Sequence, residues 1–123
     1  LGFMDEKYFV YFDDTDFLFR VFQNNSYKVW FCPQVVLYHK VGSLSKSFVT
    51  DKKNQVLRGN FFLQQNTKNH VYFLRKLGTR YAYFYCIFLL LKNNARFFFS
   101  PKIKKDFATF FLINKSYFQG WSL

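Results

Sequence analysis

A chain of 123 residues is the size of one ordinary domain, and its two cysteines, Cys32 and Cys86, lack any CxxC or Cys/His spacing, which argues against a disulfide-built mini-domain or zinc ribbon and for buried thiols in a reducing compartment. The net charge of +11 is unevenly spread: residues 1–16 hold one lysine and five acids, whereas residues 17–123 hold seventeen Lys or Arg and two acids. An acidic head thus meets a basic remainder that attracts anions such as nucleic acid, anionic lipid or phosphorylated substrates, and the 25% of aromatic residues need a core, a partner or a lipid surface to cover them.

The chain opens on Leu1 and runs at once into a dense motif, so it is expected to be a fragment of a longer protein with an N-terminal part upstream. Gly2-Phe3-Met4 leads to Asp5-Glu6 and the aromatic run Tyr8-Phe9-Val10-Tyr11-Phe12, and Asp13, Asp14 and Asp16 follow within four residues. Carboxylates this close repel one another and lose solvation beside Phe and Tyr, so a cation, a proton or a basic substrate group is expected to compensate them. Asp13 or Asp14 can cap a helix over residues 15–23, in which Phe17, Leu18, Val21 and Phe22 are apolar. Asp16 stands four residues before Arg20, the favourable order for an ion pair. Asn24-Asn25-Ser26 ends the helix, because Asn tolerates the left-handed conformation of a helix stop.

Residues 27–31 alternate and favour strand, Pro33 interrupts, and Val35-Val36-Leu37-Tyr38 is a second strand-prone run that delivers His39 to its end. Residues 40–53, with Gly42 and several serines, read as an exposed loop. A helix is predicted over residues 54–77 despite Gly59, stopped by Gly78, with His70 on its surface. Residues 81–91 are uninterrupted apolar between Arg80 and Lys92; a span needs about 20 such residues, so this is either a core helix or an interfacial one. Ser100-Pro101 has the form of an N-cap followed by a first-turn proline, opening a last helix over residues 102–118.

Several separated elements then fall into a known order. Gly2-Phe3-Met4-Asp5-Glu6, Tyr11-Phe12-Asp13-Asp14-Thr15-Asp16-Phe17, Arg20, Tyr27-Lys28-Val29, Cys32-Pro33, Val35-Val36-Leu37-Tyr38-His39-Lys40 and Gly42-Ser43 resemble the C-terminal half of bacterial family 2 glycosyltransferases, the rhamnosyltransferase-like ones in particular. The resemblance spans residues 2–47. Phe61-Phe62-Leu63-Gln64-Gln65-Asn66 is a weaker echo of the family's Tyr-Tyr-x-x-Arg-Asn segment, with Gln65 where Arg is usual, and Asp13 replaces the usual Glu.

The resemblance implies an α/β fold. Residues 1–53 would be the C-terminal catalytic and acceptor part of a GT-A (Rossmann-like) domain with a short hairpin-like strand pair, and residues 54–123 a helical, membrane-associated extension. The nucleotide-binding half would lie upstream. It implies inverting transfer of a sugar from a nucleotide-sugar donor to a glycan or lipid-linked acceptor in cell-surface polysaccharide synthesis, on the cytoplasmic face of the membrane. An acceptor hydroxyl needs a carboxylate to take its proton, a role that maps onto Asp14, with Asp13 helping to place it. Asp5 and Glu6 fall on the acceptor side, and Lys40, Ser43 and Lys46 are candidates for donor-phosphate or acceptor contacts. His39 maps to the shell of a divalent cation, Mg²⁺ or Mn²⁺, bound mostly by the missing half.

A plainer reading makes the acids a solvated first-turn cap, and His39 a structural strand-end histidine. A different class of function, a basic aromatic module binding nucleic acid or anionic membrane without catalysis, accounts for the charge but not for the acids. No RNP-like, helix-turn-helix or zinc signature is present, so nucleic acid is not the expected partner.

Overall fold

The computed structural model describes residues 1–38, 52–99 and 106–123. Their regular structure consists of four helices: α1 (Asp13–Asn24), α2 (Lys52–Leu77), α3 (Arg80–Phe99) and α4 (Phe107–Ser122). There is no strand among the described residues, which overturns the expected α/β, GT-A-type architecture. The two strand-prone runs show why. A β run satisfies its backbone only on a neighbouring strand, and none of the described residues supplies one. Instead the Val35 N–H donates to the Cys32 carbonyl at 3.2 Å in a turn around Pro33, and the runs lie bare, Trp30 82% and Tyr38 93% exposed.

Helix ends follow local chemistry. Asn25, at φ 55°, ends α1, and Gly78, at φ 63°, ends α2, both left-handed as a helix stop requires. Thr79 then caps α3, its hydroxyl accepting from the Ala82 N–H at 3.1 Å, so α2 and α3 form a helical hairpin across two residues. Asp106 caps α4, accepting from the Ala108 N–H at 3.0 Å, and the last helix therefore starts later than predicted. Ser100 and Pro101 lie outside the described residues.

α2 is the central element, with α4 and α3 packed against it. Val71, Leu74, Ala82, Cys86 and Tyr117 form the shared core, with Leu77, Leu89 and Leu90 at its edge. Cys86 is buried as expected, whereas Cys32 is exposed. α4 approaches α2 closely because it offers small residues one turn apart, buried Ser116 and Gly120. The Ser116 hydroxyl satisfies itself on the Leu112 carbonyl at 2.6 Å. α3 and α4 are clasped by Asn94 and Asn114, whose side-chain amides donate to one another's oxygens at 3.2 Å.

Residues 1–12 lie along the opposite side of α2 as a ladder of rings. Phe9 meets Phe61, Tyr11 meets Phe62, Phe12 stacks on His70 at 5.0 Å, and Tyr8 lies 5.0 Å from Tyr72. These contacts cross the boundary between residues 53 and 54. Among the described residues no helix is long and apolar enough to cross a membrane.

A Cβ at Gly120 would collide with the Lys68 carbonyl oxygen and stand 3.0 Å from the Val71 Cβ. Gly120→Ala is therefore expected to force α4 off α2 at a cost of about 3 kcal/mol in urea denaturation, with helix content in the native baseline retained. An unchanged midpoint would show that the two helices do not meet there.

Candidate functional site

The three neighbouring acids at the start of α1 are sorted by helix geometry. At about 100° per residue, Asp14 points roughly opposite to Asp16 while Asp13 lies about 60° away from it. Asp16 is accordingly buried, Asp13 half-buried and Asp14 exposed. Phe12 occupies the N-cap position, where its carbonyl takes the first helical hydrogen bond from the Asp16 N–H at 2.8 Å and its side chain caps nothing; of the two acids expected to cap the helix, Asp14 lies inside the first turn and accepts from the Thr15 N–H there.

Asp16 and Asp5 share one set of cations. The Arg20 Nε donates to Asp16 Oδ2 at 2.9 Å, the ion pair that the four-residue spacing predicts. The Lys76 ammonium lies 2.9 Å from Asp16 Oδ1 and 2.8 Å from Asp5 Oδ2. The Tyr72 hydroxyl adds a hydrogen bond to Asp5 at 2.9 Å, and the Lys7 N–H another at 3.0 Å. Two carboxylates and two cations thus cancel. Burial works to raise the Asp5 carboxyl, but its donors, led by Lys76, outweigh it and hold the group down at about 2. Burial likewise opposes the Lys76 charge, and the hydrogen bonds to Asp5 and Asp16 push it above its ordinary value nonetheless. Arg20 also ties down the first residues, donating to the Leu1 and Phe3 carbonyls.

A second anchor fixes the turn into α1. Tyr11 and Phe12 both adopt left-handed backbone, at φ 67° and 70°, a conformation costly for bulky residues. Fully buried Asn69 holds them, its side-chain amide donating to the Val10 carbonyl at 2.6 Å and the Tyr11 carbonyl at 3.0 Å. His70, next along α2, stacks flat on Phe12 and is pushed by burial toward its neutral form. It is therefore not the surface residue expected from the sequence. Its other side lines a cleft of about 450 Å³ between α2, α3 and α4, walled by Leu63, Leu89, Phe97 and Phe110 with Asn66 and Arg96 among its polar groups.

The candidates sort as follows. Asp14 and Asp13 share the exposed first turn of α1, and Asp14 Oδ1 accepts from the Thr15 N–H at 2.7 Å and the Thr15 hydroxyl at 3.3 Å. Asp5 is engaged by Lys76 and Tyr72, while Glu6 is exposed. His39, Lys40, Ser43 and Lys46 lie outside the described residues. Among the described residues no group of three His, Cys, Asp or Glu could hold a metal ion. Sequence reasoning missed Asn69, Tyr72 and Lys76. The signal lay in the spacing Phe62, Asn69, Lys76, two steps of seven that place a ring, an amide and an ammonium on one helix face.

Compared with known proteins, the chain matches no family model, no curated protein and no solved structure.

Removing the shared cation tests the cluster. Lys76→Met leaves Asp16 buried with Arg20 alone and is expected to cost about 2 kcal/mol in urea denaturation near neutral pH. The Asp5 carboxyl is depressed on folding, so its stabilisation is complete above its ordinary value of 3.8 and is lost as pH falls toward 2. Acid titration of Lys76→Met should show a weaker decline across that window, and an acid limb parallel to that of the unaltered protein would refute the Asp5–Lys76 link.

Proposed function

We propose that this chain is the helical, acceptor-side part of an inverting glycosyltransferase, with Asp14 as the general base. One observation carries the reading: of three acids crowded into four residues, Asp16 is turned inward to Arg20 and Lys76, while Asp14 stands in the open on a turn pinned from behind by Asn69. Among the described residues no cation pairs with Asp13 or Asp14. A carboxylate spared for structural pairing elsewhere and held on rigid support suits a group that must accept a proton.

The geometry of one side chain is compatible with this chemistry. Both Thr15 donors converge on Asp14 Oδ1, which fixes the carboxylate and leaves Oδ2 for an acceptor hydroxyl. As that oxygen attacks the anomeric carbon, its proton passes to Oδ2 and the bond to the nucleoside diphosphate breaks on the opposite side. Asp13 flanks the same opening. On this reading the nucleotide-sugar site, and the main ligands of a Mg²⁺ or Mn²⁺ ion, would come from outside these 123 residues. A glycan or lipid-linked acceptor destined for cell-surface polysaccharide, reached from the cytoplasmic face, completes it.

The protein translated from the uninterrupted reading frame tests this. Asp14→Asn should lower transfer by about 10²–10⁴-fold while nucleotide-sugar binding, followed by calorimetry, stays within about two-fold. Retained turnover would remove Asp14 from the role. Asn69→Leu frees the Val10 and Tyr11 carbonyls, and it should lower kcat with donor binding again unchanged; a variant folded by circular dichroism and fully active would make the Asn69 anchor irrelevant to catalysis.

A further inference from the structure

α3 is apolar on both sides, and among the described residues only one side has a partner. Ala82, Cys86 and Phe97 face the core, with Leu89 and Leu90 half-buried beside them. On the far side Tyr81, Phe84, Phe88 and Leu91 recur at steps of three and four, an exposed apolar stripe over the first three turns of the helix. Tyr81 is 87%, Phe84 70% and Leu91 63% exposed. An amphipathic surface helix carries charge on its outer face. This one carries rings and aliphatic chains, about 15 Å of them from Tyr81 to Leu91 by the rise per residue.

Cations frame the stripe. Arg80 precedes it, and the Lys92 ammonium sits 6.0 Å from the centre of the Phe88 ring. From Lys52 to Lys105 the chain contains no acidic residue, so none within α3 offsets them. α4 extends the apolar area at one end, where Phe98 packs on Phe110 and exposed Phe111 follows.

We propose that the outer face of α3 is a membrane-docking surface that lies in the plane of an anionic lipid leaflet, with its rings among the acyl chains and Arg80 and Lys92 at the headgroups. The charge pattern selects this occupant. A second copy would bring a +11 chain against a +11 chain, and a nucleic acid would find its phosphate contacts only at the ends of the stripe, with Ile87 and Leu91 offering no stacking face. An anionic leaflet matches both parts, since amphipathic rings favour the interface and basic side chains favour the headgroups. A helix in the membrane plane also accords with the absence, among the described residues, of any helix able to cross it. The inference stands apart from the role of Asp14.

Co-sedimentation of the full chain with 100-nm vesicles tests it, using phosphatidylcholine alone and phosphatidylcholine with about a third phosphatidylglycerol. The protein is expected to partition onto the anionic vesicles about ten-fold or more above the neutral ones. Phe84→Ser/Phe88→Ser should reduce that partition about ten-fold or more with helix content unchanged. Phe22→Ser, at an exposed site on α1, should leave it as it was. Should the double variant not fold, Lys92→Glu reads the same surface by charge and is expected to weaken anionic binding about ten-fold. Undiminished binding by the folded double variant, or by Lys92→Glu, overturns the proposal, and so does an equal loss in Phe22→Ser. A chain dimeric by sedimentation that Phe84→Ser/Phe88→Ser converts to monomer assigns the stripe to a second copy and overturns it as well.

Discussion

One ammonium group organises the acidic end of the molecule. Lys76 lies within 3 Å of carboxylates from two separate segments, Asp5 ahead of α1 and Asp16 within it. Burying a carboxylate as deeply as Asp16 is costly unless its oxygens are filled, and Arg20 and Lys76 between them fill both. Since Asp16 can then face only one way, the rotation of α1 about its axis is fixed. Everything that distinguishes Asp14 from its neighbours descends from that rotation. The crowd of carboxylates that seems to demand an external cation is therefore resolved in two parts, one neutralised internally and one presented outward.

What could be read in the sequence was local. The Asp16–Arg20 pair, the Asn25 stop and the Gly78 stop each depend on residues within a turn of one another, and each stands where the pattern puts it. The bounds of α2 and the helical state of residues 81–91 were legible for the same reason. The strands were not, because Val35-Val36-Leu37-Tyr38 has the composition of a strand without the partner that makes one. Asn69 was hidden differently. An asparagine in mid-helix looks like an unfavourable choice of residue, and its purpose emerges only when Val10 and Tyr11 are seen to end their carbonyls on it from 58 and 59 residues away.

α3 marks the limit of periodicity as a guide. A helix with one apolar side announces which side is inside, but in residues 80–99 rings and aliphatic groups appear all the way round, and core and interfacial readings predict the same string. Packing divides the helix in two. Cys86 and Tyr117 meet on the inner side, where burial raises both the thiol and the phenol, and the outer side is left with the aromatic stripe and the cations that bracket it. The catalytic reading and the lipid-facing reading thus occupy different helices.

The two-residue join between α2 and α3 has a consequence for how the chain assembles. Closing a hairpin over Gly78 and Thr79 sacrifices little chain entropy, whereas Asp5 must find Lys76 across a separation of 71 positions in sequence. The paired helices are joined by contacts local in sequence, whereas the N-terminal ring ladder reaches α2 only across long separations. The turn that carries Asp13 and Asp14 is therefore held in place by partners far away in sequence, Asn69 and Lys76, and not by its own neighbours.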